Sequence, residues 1–183
     1  MSTDQTHIAF LRAVNVGGRK VEMARLREVL AGLGLGSVRT YIASGNAFFA
    51  SPETDRASLV QRVETGLSDA FGFAVPTILR TVSELEAEIA ASPFVGKQPA
   101  EHERFSMVFT SGSLAGGEFP LRSPKGDWEV LGASGNTAFA LWRLVDGRVG
   151  GGPGPMIEKT FGVQATGRFF HTTEKILATA KKG

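Results

Sequence analysis

The sequence predicts an α+β protein of two tandem ferredoxin-like (α/β-plait) units, each an antiparallel sheet with helices on one face. The first supporting observation is an internal repeat: the triplet Ser-Gly-Asn stands at residues 44–46 and again at 134–136, an offset of 90 positions. A Phe-Gly pair ends a helical pattern at residues 71–72 and at 161–162, with the same offset. The second observation is the order of periodicities, which is strand, helix, strand, strand, helix, strand. The repeat therefore indicates two copies of one unit.

Residues 1–92 are predicted to form the first unit, which carries an extra helix after its last strand. Apolar runs predict its strands, and apolar residues at helical spacing predict its helices. In chain order the predicted elements are a strand over 7–14, a helix over 23–33, strands over 38–43 and 47–50, a helix capped by Thr54 or Asp55, a strand over 75–80 and a helix opened by a Ser83–Glu86 capping box.

Residues 103–183 are predicted to form the second unit, with the same order, a short or absent first helix and an extra helix at the end. The reason is that residues 111–125 are rich in Gly, Ser and Pro, which favour turns over helix. A linker is predicted over residues 93–102, where two prolines stand among small and polar residues. The predicted elements are strands over 105–110, 128–133, 137–144 and 164–171, with helices over 155–161 and 173–180.

Composition excludes several classes of function. The 183 residues include 20 Lys and Arg against 18 Asp and Glu, a balance that does not suit a protein built mainly to coat nucleic acid. The absence of cysteine excludes disulfides, thiolate nucleophiles and thiolate metal sites. No metal, cofactor or membrane segment is predicted, and a cytoplasmic location is expected. An enzymatic role stays open, with no catalytic residue identified.

The opening of the chain resembles a known family. The pattern LRxxNVGG at residues 11–18 and the pattern RTYIxSGN at residues 39–46 are similar to those of the bacterial "domain of unknown function 1697" family. The resemblance implies two α/β-plait units in tandem and supplies no chemistry, because the family has no established activity. It weakens over residues 165–172, where the family's asparagine after Arg168 is absent.

A first candidate ligand site follows the first predicted strand: Arg12, Asn15, Gly17, Gly18 and Lys20. A glycine pair before a helix lets backbone N–H groups approach an anion, and the basic residues would add charge. The alternative is a tight strand-to-helix turn whose glycines take positive φ. A second candidate is Ser44 with Asn46, polar residues at a hairpin tip, for which a structural role in the turn is the alternative.

Basic residues cluster near both ends of the chain, with Arg168 in the second cluster. If the two units meet face to face, these residues would line a basic groove. The predicted function is therefore the binding of a small anionic ligand, phosphate or nucleotide-like, or of a partner, in that groove. The alternatives are an enzyme acting on a phosphorylated or nucleotide substrate without a covalent nucleophile, and a protein–protein interaction module. Nucleic acid is a less favoured partner, and no oligomeric state is predicted.

Overall fold

The computed structural model describes residues 3–183 and has an α+β architecture with two antiparallel sheets. The contacts divide the chain into two compact units. The first contains the residues up to Leu85 together with Ile176–Gly183, and the second contains Glu86–Lys175. Within residues 3–183, no helix combines the length and the apolar character that a membrane span needs.

The first sheet has the strand order β2-β3-β1-β4, and the strands and the helices between them are as predicted, with shifted ends. Alternate residues of a strand point to opposite faces. Ala9, Leu11 and Phe49 therefore face helices α1 and α2, with which they form the core. The elements are β1 (Gln5–Leu11), α1 (Met23–Gly32), β2 (Gly36–Thr40), β3 (Asn46–Ser51), α2 (Arg56–Phe71), β4 (Thr77–Thr81) and α3 (Val82–Ala90).

The second sheet has the strand order β6-β7-β8-β5-β9. The first helix predicted to be short or absent is indeed missing from residues 111–125, which instead contain the two-residue strand β6. Val108, Ala140 and Ile157 belong to the core between this sheet and α4. The elements are β5 (Glu103–Thr110), β6 (Leu121–Arg122), β7 (Trp128–Ser134), β8 (Thr137–Arg143), α4 (Gly154–Phe161), β9 (Ala165–Phe169) and α5 (Phe170–Ala180).

The helix ends follow local sequence signals. The side chain of Asp55 accepts a hydrogen bond from Ala57 N and caps α2, as predicted. Gly72 and Gly162, the glycines of the repeated Phe-Gly pair, end α2 and α4 in the left-handed conformation. The predicted Ser83–Glu86 capping box is wrong, because Ser83 already lies inside α3.

The capping box of α3 lies two residues earlier, at Thr81 and Glu84. Glu84 N donates to Thr81 Oγ1 at 3.2 Å, and Thr81 N donates to Glu84 Oε2 at 2.8 Å. Because β4 runs directly into α3, its last residue supplies the cap. The reciprocal bonds also fix the Glu84 carboxylate at the end of β4.

The segment predicted as a linker contains a residue, Phe94, whose side chain is packed within the second unit. Phe94 is 2% exposed and stacks on Phe105, with ring centroids 4.2 Å apart. It also meets the rings of Phe139 and Phe170 edge-on. Part of residues 93–102 therefore contributes an aromatic anchor to the second unit.

Arg39 of β2 holds the C-terminal end of α5 in the first unit. Its Nη1 donates to Thr179 O at 2.8 Å, and its guanidinium lies 5.2 Å from the ring centroid of Phe48. A cation at the last carbonyls of a helix satisfies acceptors that the helix leaves unpaired.

We expect Arg39→Leu to lower the free energy of unfolding by about 1–2 kcal/mol, because the last turn of α5 loses this partner. Amide hydrogen exchange in that turn should become faster. Arg25→Leu is the control, since Arg25 is exposed and pairs with Glu28 on the surface of α1. Equal exchange rates in wild type and Arg39→Leu would contradict the assignment.

Candidate functional site

Two loops that the sequence treats as separate candidates meet at one end of the first sheet. Asn15 follows β1, and its side chain joins them: Nδ2 donates to Ala43 O at 2.6 Å, in the loop between β2 and β3. The same amide accepts from Val21 N at 2.9 Å and donates to Val21 O at 3.2 Å. We call residues 12–22 and 41–46 together the loop end. Asn15 is thus the residue that holds the two halves of the loop end together.

Gly17 and Gly18 form a tight turn within the loop end. Arg19 N donates to Val16 O at 3.1 Å, Asn15 N donates to Arg19 O at 2.7 Å, and both glycines have positive φ, 56° and 80°. Two successive residues of positive φ are what a type I′ turn requires. Helix α1 begins only at Met23, so the glycine pair is separated from the helix N-terminus. This geometry corresponds to the tight-turn alternative.

The triplet at residues 44–46 is built into the fold. Asn46 is completely buried, and its Nδ2 donates to Tyr41 O at 3.1 Å and to Ser44 Oγ at 3.0 Å. Gly45 O accepts a hydrogen bond from Leu11 N at 2.8 Å. The Asn46 side chain therefore shapes the loop, and Ser44 presents an exposed residue beside it.

The loop end carries three cationic residues, Arg12, Arg19 and Lys20, and one carboxylate, that of Glu22. Arg12 is partly buried, and its backbone N–H donates to Pro76 O at 2.9 Å. The Arg19 guanidinium lies 5.6 Å from the ring centroid of Phe73. Lys20 Nζ lies 3.3 Å from Glu22 Oε1, and both side chains are strongly exposed. Such an exposed pair contributes little to stability, so Lys20 can exchange Glu22 for another anion.

Arg168 lies in the second unit, in β9, where it pairs with Met107 of β5. Its Nη1 donates to Thr166 Oγ1 at 2.9 Å and to Gly167 O at 2.8 Å. Burial lowers the pKa of the Arg168 guanidinium to about 10. Arg80 has the equivalent position in the first unit, one residue before the end of β4, and is 3% exposed. The sequence offset of 90 conceals this correspondence, because the two arginines are separated by 88 positions.

Sequence reasoning did not single out a second cluster in the first unit, formed by His7, Arg56 and Glu84. His7 of β1 is 4% exposed, and neither ring nitrogen has a hydrogen-bond partner. Its ring stacks on Phe49 at a centroid distance of 5.6 Å. Burial, and then the positive charge of Arg56, lower the pKa of His7, while Glu84 acts in the opposite sense. The sequence signal that could have revealed this cluster is a histidine inside an otherwise apolar strand.

An ion pair between Arg56 and Glu84 connects α2 to α3 near His7. Arg56 Nη2 donates to both carboxylate oxygens of Glu84, at 2.6 and 2.7 Å. Burial opposes ionisation of Glu84, but the bonds from Thr81 and Arg56 prevail and the pKa of Glu84 is lowered. Across residues 3–183, no group of three His, Cys, Asp or Glu side chains is arranged to hold a metal ion.

The fold and the loop end together define a class: an α+β protein with two antiparallel sheets and a basic loop end on the first. The chain belongs to the family described as Protein of unknown function (DUF1697), whose profile matches residues 5–140. The match includes the whole loop end and stops before Arg168. No curated protein matches the sequence significantly.

Among solved structures, the chain is similar to the conserved bacterial protein SP0830 from Streptococcus pneumoniae. The identity is 26%, the TM-score is 0.71, and the alignment covers 97% of this chain and 99% of that one. The likeness extends over both units, so the pair of sheets is a property that the two proteins share.

Proposed function

We propose that this protein binds a small anionic ligand, phosphate or nucleotide-like, at the loop end of the first unit. The observation that supports the proposal is the set of hydrogen bonds from Asn15, which joins the loop of Arg19 and Lys20 to the loop of Ser44. Loops held in this way lose little conformational freedom when a ligand binds. The excess of cations over carboxylates at the loop end attracts an anion.

The side chains have separate roles in this proposal. Lys20 and Arg19 are exposed and would contact the anion, while Ser44 would donate its hydroxyl. Asn15 and Asn46 are positioning residues, because their amides are engaged with the backbone. Participation of Arg168 in ligand binding stays a prediction.

The proposal is tested by isothermal titration of the full chain with inorganic phosphate and with ATP. We expect Arg19→Ser combined with Lys20→Ser to weaken binding about tenfold, the equivalent of one lost charge-assisted contact. The control is Lys181→Ser combined with Lys182→Ser, which removes the same charge from the exposed C-terminus. Absence of binding by wild type at millimolar anion, or an equal loss in the control, would refute the proposal.

We also propose that the chain is a duplicated α/β-plait, with sequence copies over residues 1–92 and 103–183 and a linker over residues 93–102. Support comes from the strand order β2-β3-β1-β4, in which the first and third strands are central and the last strand pairs with the first at the edge, and from its counterpart β7-β8-β5-β9 within the second sheet. The C-capping glycines 90 positions apart, Gly72 and Gly162, support the same duplication.

A further inference from the structure

We propose that the anionic group received at the loop end is carried by a polypeptide: an acidic segment with an apolar side chain that rests on Ile42 and Val16. This inference depends on the proposed function, since it names the kind of molecule that brings the anion. The inference is based on two features of Ile42, its backbone conformation and its exposure, which the binding of an anion alone does not explain.

Ile42 is held in a conformation that its side chain disfavours. Its φ is +48°, in the left-handed region that β-branched residues rarely adopt. The residues on both sides are fixed there: Asn46 Nδ2 donates to Tyr41 O, and Asn15 Nδ2 donates to Ala43 O. Strain of this kind persists only where the surroundings impose it, and it concentrates at functional sites.

The strain does not bury Ile42, because about half of the residue stays accessible to solvent. Ile42 is 51% exposed. Ala13 and Asn15, in the neighbouring loop, also have positive φ, of 56° each. Three of the five non-glycine residues with positive φ in the described chain therefore lie within the loop end. A structure that bends its backbone to expose an isoleucine presents that isoleucine to a partner.

A second exposed aliphatic residue lies on the other loop. Val16 is 57% exposed and stands opposite Arg19 in the tight turn. Single exposed apolar residues are ordinary on protein surfaces. Here two of them lie on loops that Asn15 joins, together with Arg12, Arg19 and Lys20. An aliphatic contact beside an excess of positive charge is an arrangement by which interfaces combine an anchor with electrostatic selection.

The charge excess of the loop end decides the chemistry of the partner. Carboxylates of an acidic segment would pair with the cations, and one aliphatic side chain of that segment would cover Ile42. Free phosphate would use the cations alone. The two ligands are therefore distinguished by whether affinity depends on Ile42.

The experiment measures fluorescence anisotropy of two labelled peptides of equal charge, one of alternating Glu and Leu and one of alternating Glu and Ser. We expect wild type to bind the Leu peptide about tenfold more tightly than the Ser peptide, as one buried aliphatic contact provides. Ile42→Gly should abolish that preference and leave phosphate binding unchanged. Glycine accepts positive φ, so this variant is compatible with the conformation of the loop.

Val145→Gly is the matched control. Val145 is 58% exposed and opens a tight turn of the second unit, opposite Arg148. It should retain the preference for the Leu peptide. Equal affinity of wild type for both peptides, with phosphate binding intact, overturns the inference and leaves the proposed function standing. An equal effect of Val145→Gly, or loss of phosphate binding in Ile42→Gly, also overturns it. No binding of phosphate or of either peptide refutes both.

Discussion

We expect Gly45→Ala to lower the free energy of unfolding by about 2–4 kcal/mol, a large part of the stability of a domain of this size. Two effects add. Gly45 has φ +85°, where any side chain is strained, and a Cβ there would lie 2.5 Å from Val14 Cγ2 and 3.0 Å from Leu11 Cβ. Urea or thermal unfolding of the full chain measures the change.

The repeat supplies the control for this prediction. Gly135 is the middle residue of the second Ser-Gly-Asn triplet and has φ +58°, but a Cβ there would meet nothing within 4 Å. Gly135→Ala should therefore destabilise by only about 1 kcal/mol, from the backbone conformation alone. Equal effects of the two substitutions would show that Val14 and Leu11 yield freely, and would contradict the tight contact between β1 and the loop end.

The second large effect is expected at His7, where stability should depend on pH. The pKa of the folded imidazole is lowered from its ordinary value of 6.5, first by burial and then by Arg56. Protonation therefore favours the unfolded chain. The contribution of neutral His7 to the free energy of unfolding is fully present above about pH 6.5, and it is lost as pH falls through the lowered pKa of the folded imidazole.

His7→Phe should raise the free energy of unfolding by about 1–3 kcal/mol at neutral pH, because it removes a buried polar ring without partners and keeps the contact with Phe49. The gain should widen between pH 7 and pH 5. The pKa values of Asp55 and Glu84 are lowered from 3.8 and 4.5, so these carboxyl groups titrate below that window. Asp55 is held ionised chiefly by the hydroxyl of Ser58, and Glu84, against the effect of burial, by Thr81 and Arg56.

Chemical denaturation at a series of pH values tests this prediction, with His102→Gln as the control because His102 is exposed. The control should follow wild type at every pH. Parallel pH profiles for wild type and His7→Phe would mean that His7 is solvated or paired in the folded protein, contrary to its described surroundings.

Local features of the fold were predictable from the sequence because a few neighbouring residues determine them. The cap at Asp55 and the ends of α2 and α4 at Gly72 and Gly162 follow from backbone sterics within one turn. The capping box shows the limit of this reasoning. Ser83–Glu86 and Thr81–Glu84 have the same spacing, and the position where β4 ends selects the second.

The candidate site was predictable residue by residue but not as an arrangement. The sequence indicated the glycine turn and the Ser-Gly-Asn triplet as separate features, each with a structural alternative. Their union depends on the bond from Asn15 to Ala43, across 28 positions of the chain. That bond requires β3 to lie beside β1, which the strand order decides.

The sequence by itself determined the family, the sequence of strands and helices and the glycines of the turns, because motifs and periodicity are properties of short segments. Only the tertiary structure decided that His7 is buried without a hydrogen-bond partner, that Arg39 reaches Thr179 across 140 positions, and that Ile42 is exposed in a strained conformation. Those outcomes depend on which strands pair and which helix ends meet them. Contacts between distant segments are set by the packing of the whole unit, and no local pattern encodes them.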